Sequence, residues 1–181
     1  MAENISFTPS ALVIAVLSTD ESKRTELTCT LEKLFGSISI ISDKLSFPYT
    51  DYYDKEMGGH PTRYFILFNN TINPENLADI KIQTNTLEKR FSDSNGRKIN
   101  LDPGILSLHN FILASCKNRG HRIPLKNGVY GELTLIYYKK EFTDLPWTYA
   151  DYRSKEVKEI LESFRAMISH SNLSMKQIPQ N

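Results

Sequence analysis

The chain has 181 residues, of which 40% are hydrophobic and 24% are charged, with 22 Lys and Arg against 21 Asp and Glu. This length and composition predict one globular domain with its own core and exclude wholesale disorder. The balanced charge excludes a global field that would draw the protein onto nucleic acid or anionic lipid, but leaves room for a local basic groove.

The cysteines and the most apolar segment indicate the compartment. Cys29 and Cys116 lie in segments that read as helical and apolar, so we expect buried thiols in a reducing compartment rather than a disulfide. The run Ala11 to Leu17 is too short for a membrane span and follows an acidic residue, Glu3. We therefore expect a cytoplasmic protein without membrane contact, and the sequence leaves its oligomeric state open.

The N-terminal elements are a strand and a helix. Ala11 to Leu17, rich in Val, Ile and Leu, is typical of a central strand buried on both faces. Ser18 and Glu21 resemble a capping box, and apolar residues then recur at helical spacing as far as Gly36. The first helix is predicted over about 20–35.

Two strands and a second helix follow. Ser37 to Leu45 carries three isoleucines, and Arg63 to Phe68 is apolar on both faces, so both are predicted strands separated by a polar loop. Asn73 and Pro74 supply a cap and a first-turn proline for a helix that ends before a turn at Asn95-Gly96.

The next segment predicts a short strand and a third helix. Ile99 and Leu101 fall on one face of the strand. Asp102-Pro103 then has the pattern of a helix start, and the apolar run Ile105 to Cys116 follows it.

A hairpin and a last helix complete the chain. Asn127-Gly128 separates 121–125 from 129–138, and a type I′ turn needs two residues that tolerate positive φ. The apolar stripe from Val157 to Ile168 predicts an amphipathic C-terminal helix.

The predicted fold class is α+β. Through residue 102 the order is strand, helix, strand, strand, helix, strand, which is the split βαβ core of ferredoxin-like folds. A helix, a β-hairpin and a C-terminal helix extend this core. We predict a single domain over 10–170, a flexible N-terminus over 1–9 and a flexible tail over 171–181.

The loop from Phe47 to His60 is the densest polar and aromatic stretch. Its Asp51, Glu56 and His60 have the oxygen and imidazole ligands that suit a divalent metal ion, and they would equally serve as acid and base groups. In the alternative interpretation the aspartates cap a short helix, Tyr52 covers the core edge and the glycines supply a turn.

Two further clusters carry candidate groups. Asn100 and Asp102 would present acceptors beside the predicted third helix, although simple capping also explains Asp102. His121 and Arg122 lie in a cationic stretch that suits an anionic ligand, or else form a solvated basic turn. Glu132 alternates with apolar residues, so we expect it half-buried or exposed, as a tuned acid or as the cross-hairpin partner of Arg122.

The segment Leu145 to Tyr152 holds the only tryptophan. Trp147 and the two tyrosines, Tyr149 and Tyr152, would stack on a base or line a small-molecule pocket, or else form a hydrophobic strap before the last helix. The sequence has no phosphate-loop motif and no dinucleotide fingerprint, and zinc-protease and hydrolase motifs are also absent.

Several motifs in order resemble one family. They are Phe47-Pro48-Tyr49-Thr50-Asp51-Tyr52-Tyr53, Asn100-Leu101-Asp102-Pro103-Gly104 and Leu145-Pro146-Trp147-Thr148-Tyr149. The chain is similar, from about residue 10 to 165, to the prokaryotic family called domain of unknown function 4416. The resemblance implies no established activity, cofactor or catalytic residue. Members are sometimes labelled GTP-binding, and the missing phosphate loop argues against that label here.

Our first hypothesis is a site for a small-molecule or nucleotide-sized anionic ligand, with a divalent metal ion as the candidate cofactor and enzymatic activity left open. The candidate catalytic groups are Asp51, Glu56, Asp102, His121 and Glu132. The candidate ligand-binding groups are Tyr52, Arg63, Asn100, Arg122, Trp147 and Tyr149. The alternative is a non-catalytic protein- or RNA-interaction module, and near-neutral charge counts against nucleic acid without excluding it.

Overall fold

The computed structural model describes residues 6–50, 52–94 and 96–176, which form an α+β architecture around one large antiparallel sheet. The strands are β1 (Ser10–Ser18), β2 (Ile38–Ile41), β3 (Leu45–Ser46), β4 (Thr62–Ile72), β5 (Ser92–Asp93), β6 (Gly96–Arg97), β7 (Ile99–Leu106), β8 (Asn110–Ser115), β9 (Ile123–Pro124), β10 (Tyr130–Tyr138) and β11 (Glu141–Asp144). The α-helices are α1 (Arg24–Phe35), α2 (Tyr52–Met57), α3 (Leu77–Arg90) and α4 (Lys155–Lys176).

The strands of the large sheet run in the order β11-β10-β8-β7-β1-β4-β2, and each neighbouring pair is antiparallel. The short strands β3 and β9 pair with β4 and β10, respectively. The β5–β6 hairpin stands apart from this sheet. The predicted first strand is confirmed, because β1 lies between β4 and β7 and is buried over Ala11 to Leu17.

The alternating side chains of β1 serve two cores. Leu12, Ile14 and Val16 pack with apolar residues of α1 and α3 on one face of the sheet. Ala11 and Val13 face the opposite side, where they cluster with apolar residues of α4, β8 and β10. Each larger side chain buried this way contributes about 1.5–3 kcal/mol, so β1 anchors both layers.

The first two long helices are confirmed, and one predicted cap is wrong. α1 ends at Gly36, which has φ +94°, as its position after the apolar stripe predicted. The capping box of Ser18 and Glu21 is absent; instead the Asp20 side chain accepts from the Ser22 amide at the start of a 3₁₀ turn that leads into α1. Asn73 caps the turn before α3 as predicted.

The predicted third helix over Ile105 to Cys116 is wrong. The strand β7 continues through Asp102-Pro103 to Leu106, and β8 returns beside it. β8 pairs with β7 only from Gly104 onwards, so Pro103 lies where the outer edge of β7 has no partner strand and a missing N–H is tolerated. Pairing with β1 along the whole of β7 overrides the local helix-start signal.

The hairpin and the C-terminal helix are confirmed. Asn127 and Gly128 have φ of 55° and 75°, and the Val129 amide donates to the Lys126 carbonyl at 2.9 Å, as in a type I′ turn. The helix α4 runs from Lys155 to Lys176, past residue 170, where the domain was predicted to end. Residues 1–5 and 177–181 of the predicted flexible ends lie outside the described residues.

The two cysteines are free thiols, but both are exposed rather than buried. Cys29 lies on the outer side of α1, and Cys116 follows the end of β8 instead of closing a helix. In the described part of the chain no helix is long and apolar enough to cross a membrane.

Candidate functional site

A cavity of about 480 Å³ lies beside the sheet, where two loop segments meet α3 and strands β4, β7, β8 and β10. The two segments are residues 47–50, called the Phe47 loop, and residues 149–152, called the Tyr149 segment. Its wall is both aromatic and charged. The ionisable acids and bases that line it are Arg63, Lys81, Glu88, Arg97, Asp102, Lys117, Arg122, Glu132 and Asp151, and the aromatic residues are Phe47, Tyr49, Tyr53, Tyr149 and Tyr152.

Six candidate residues from separate parts of the sequence line this one cavity. They are Arg63, Asn100, Asp102, Arg122, Glu132 and Tyr149. β4 presents Arg63, β7 presents Asn100 and Asp102, and β10 presents Glu132. Asp102 thus reaches the cavity from the middle of a strand, not from a helix start as predicted.

The other candidates lie behind the wall or outside the described residues. Glu56 lies behind Arg97, which lines the cavity, and the Arg97 Nε is 2.9 Å from Glu56 Oε1. His121 and Trp147 stack on each other beyond the wall, with ring centroids 5.3 Å apart and planes 9° apart. Asp51 lies outside the described residues, as does the Tyr52 side chain.

Arg63 occupies the floor of the cavity. Its side chain is only 4% exposed, and its two terminal nitrogens face two carboxylates, Asp151 Oδ2 at 3.0 Å and Asp102 Oδ2 at 3.5 Å. Burial opposes the charge, but Tyr152 and both aspartates outweigh this effect and raise the Arg63 pKa above its usual value. Arg63 is therefore a permanent buried cation.

The two carboxylates beside Arg63 differ in their proton affinity. Burial favours the neutral form of Asp102, but Lys81, Arg63 and an Asn100 hydrogen bond of 2.7 Å outweigh it and lower its pKa. Burial raises the pKa of Asp151, and Arg63 offsets this only in part. The pair thus combines an ionised group with one that takes up a proton more readily.

A second charged cluster joins α3 to β7. Lys81 Nζ donates to the Leu101 carbonyl at 2.7 Å and lies 3.5 Å from Asp102 Oδ1. Glu88 accepts from the Leu101 amide at 2.8 Å and from Arg97 Nη1 at 2.7 Å. Burial raises the Glu88 pKa despite these contacts. The helix and the strand are therefore tied together through the wall of the cavity.

Glu132 organises the opposite wall. It is 1% exposed and accepts from Arg122 Nε at 2.7 Å, and it contacts His121 Nε2 at 3.0 Å. The cross-hairpin pairing with Arg122 is thus present. Arg122 Nη2 also donates to the Tyr149 hydroxyl at 2.5 Å, which fixes that phenol at the cavity.

The expectation that Glu132 is half-buried or exposed is wrong. The pairing of β10 with β8 shifts between Leu133 and Leu135, so a bulge at Thr134 interrupts strict alternation along the strand. Arg122 and the segment that carries Tyr149 then cover the glutamate.

The sequence reasoning missed several residues of the wall. Lys81 and Glu88 are seven positions apart and share one face of α3 with the buried Thr84, so charged residues next to an apolar stripe were a usable signal. Asp151 and Tyr152 lie in the 3₁₀ turn Asp151–Arg153, and nothing in their local pattern separates them from a helix cap.

Of the predicted metal ligands, Asp51 lies outside the described residues, and Glu56 pairs with Arg97. His60 Nδ1 lies 2.8 Å from Asp54 Oδ2, and its side chain is exposed. Among the described residues no group of three or more His, Cys, Asp or Glu side chains could hold a metal ion.

The fold and the cavity define an α+β protein with an antiparallel sheet and a charged pocket beside it. The chain belongs to the family described as domain of unknown function (DUF4416), whose model matches residues 8–167. Neither the curated proteins nor the solved structures gave a match.

Proposed function

We propose that this protein binds a small anionic ligand in the cavity between the Phe47 loop and the Tyr149 segment. The observation that carries the proposal is the convergence of nine charged side chains and five aromatic rings, from distant parts of the sequence, on one space of about 480 Å³. A volume of about 300–1,000 Å³ is typical of small-ligand and nucleotide sites.

The charge on the wall favours an anion. Five cationic side chains line the cavity against four carboxylates, and the raised pKa of Asp151 and of Glu88 reduces the negative charge further. Arginine forks suit carboxylate and phosphate groups. Tyr49, Tyr53 and Tyr149 supply aromatic surface for a flat or apolar part of the ligand.

Acid–base chemistry on the bound ligand is part of the proposal. The ionised Asp102 and the protonatable Asp151 flank the same guanidinium, and such a pair can accept and return a proton. A divalent cation in this site would need oxygens of the ligand beside the wall carboxylates, because the described residues offer no set of three side chains to hold it alone.

The test is a thermal-shift screen against nucleotides, phosphorylated and carboxylated metabolites, and divalent cations. A ligand at 100 times its Kd stabilises the folded state by about 2.7 kcal/mol. We expect a saturable shift that Tyr149→Ala weakens, because Tyr149 lines the cavity. The matched control is Tyr138→Ala, an exposed tyrosine that does not line it. If both variants respond alike, or if no compound binds, a protein or RNA partner replaces this proposal.

We further propose that residues 10–106 form a ferredoxin-like unit and that the protein is cytoplasmic. The ferredoxin-like unit is supported by the strand order β7-β1-β4-β2 and by the packing of α1 and α3 on one face of these strands. The two free thiols support the cytoplasmic location, because thiols persist in reducing compartments.

A further inference from the structure

Three buried polar atoms at the floor of the cavity lack hydrogen-bond partners among the described residues. They are Arg63 Nε, the Tyr152 hydroxyl and Asp151 Oδ2. The last of these forms an ion pair with Arg63 without hydrogen-bond geometry. A buried donor or acceptor without a partner destabilises the folded state, so three neighbouring cases call for an explanation.

The core fixes the direction of the Tyr152 hydroxyl. The Tyr152 ring stacks on Phe111 with a centroid distance of 5.8 Å and meets Phe65 edge-on at 5.9 Å. The Arg63 guanidinium lies over the same ring, 5.6 Å from its centroid. The phenol is 2% exposed and lines the cavity, so its oxygen stays beside Arg63 instead of turning to solvent.

Phe47 covers this floor. Its ring lies 5.1 Å from the Arg63 guanidinium carbon, and it packs edge-on against Tyr49 and Tyr53. A second cavity, of about 370 Å³, adjoins the first and is lined by Phe47, Tyr49, Arg63 and Asp151 as well. The Phe47 loop therefore lies between two spaces that share one guanidinium, and its displacement would uncover Arg63 from either side.

We infer that Arg63 Nε and the Tyr152 hydroxyl form a subsite for one oxygen of a carboxylate or phosphate group, which Phe47 covers until the ligand enters. The inference rests on the proposed function and names its anion-binding groups. Two buried donors without partners, on residues that line the same cavity and lie against each other, suit an acceptor-only oxyanion. Burial raises the pKa of Asp151, which favours a neutral carboxyl beside the bound anion.

The test uses Tyr152→Phe in the full chain. Removal of an unpaired hydroxyl should leave the melting temperature of the free protein unchanged or higher. Inorganic phosphate and acetate should bind the variant at least about tenfold more weakly than the wild type, because a hydrogen bond to a charged group is lost. Acetamide serves as the neutral probe and should bind neither protein.

The side-chain Nε–H resonance of Arg63, assigned with Arg63→Lys, gives a readout that a purely structural tyrosine would not move. It should shift with phosphate or acetate in the wild type, and the probe that binds tighter identifies the oxyanion. Phe47→Ala should strengthen binding several-fold by uncovering the subsite, whereas the exposed Phe7→Ala should not.

The outcomes separate the two proposals. Saturable oxyanion binding that is unchanged in Tyr152→Phe, with an unshifted Arg63 resonance, overturns the subsite and leaves the proposed function standing. Absence of phosphate and acetate binding to the wild type overturns the subsite, whereas the absence of any saturable shift in the thermal-shift screen overturns the proposed function.

Discussion

Truncation of Glu132 should destabilise the protein far more than truncation of an exposed glutamate. Glu132 is 1% exposed and pairs with Arg122, whose side chain is 2% exposed. Glu132→Ala leaves the guanidinium buried without its carboxylate, which costs about 3–5 kcal/mol. Total stability of a domain is about 5–15 kcal/mol, so the loss is a large share of it.

The matched control is Glu26→Ala. Glu26 accepts from Arg90 at 2.6 Å, but both side chains are more than half exposed, so this pair contributes at most about 1 kcal/mol. A third variant, Arg122→Met with Glu132→Leu, removes both charges. It should be less destabilised than the sum of Arg122→Met alone and Glu132→Leu alone, because neither partner is left without the other.

Urea unfolding measures the free energy of unfolding of each of these variants. The single tryptophan, Trp147, is a local fluorescence probe because it stacks on His121, which contacts Glu132. Equal unfolding free energies for Glu132→Ala and Glu26→Ala would refute the reasoning, since they would mean that Arg122 finds water or another partner when its carboxylate is removed.

Two further predictions concern pH and packing. The pKa of Asp151 is raised above its usual 3.8, so the folded state takes up this proton before the unfolded state does. The contribution of Asp151 to the free energy of unfolding therefore rises as pH falls from neutrality towards 3.8. The pKa of Asp102 is lowered, so the stability that its ionised form contributes is lost below pH 3.8. Urea unfolding at several pH values gives the free energy of unfolding as a function of pH, and above pH 3.8 its slope should be shallower in Asp151→Asn than in the wild type. An unchanged slope would contradict the raised pKa of Asp151. Gly104→Ala would place a Cβ 2.8 Å from the Ile112 carbonyl oxygen and should cost about 1–3 kcal/mol, whereas Gly120→Ala, with open space around it, should be nearly neutral in the same assay.

The parts of the fold that the sequence predicted depend on local chemistry. Asn127-Gly128 requires a tight turn because both residues accept positive φ, and the Asn73 side chain can cap only a following turn. The buried run of β1 needs no partner to be identified as a strand, since seven successive apolar residues suit a strand covered on both faces.

The errors arise where pairing between distant strands decides the structure. Asp102-Pro103 has the local chemistry of a helix start, and only the antiparallel pairing with β1 keeps it extended. The bulge at Thr134 has no signature in the sequence, yet it places Leu135 on the same face of the sheet as the buried Glu132, where strict alternation would separate them. Long-range contacts of this kind cannot be derived from periodicity, which is a local property.

The candidate site was predictable in type but not in composition. Arg63, Arg122 and Tyr149 were identifiable as chemically unusual residues in their segments, and they line one cavity. Tyr152 was identifiable only as one of two tyrosines in its segment and not as a site residue, because a tyrosine before an amphipathic helix is typical of core packing. Its distinguishing property is a buried hydroxyl without a partner, which exists only once Phe65, Phe111 and Arg63 surround it.

The buried charges of the wall carry a desolvation penalty that lowers the stability of the fold, and this penalty favours a functional role for them. Replacing a buried ion pair with apolar residues of similar volume is often neutral or stabilising, so stability alone does not require Arg63 to lie between Asp102 and Asp151. A permanently charged guanidinium between an ionised and a protonatable carboxylate is instead the arrangement that the proposed anion binding and proton exchange require. The unpaired Tyr152 hydroxyl completes this argument, because a purely structural phenylalanine would fill the same space without the desolvation penalty.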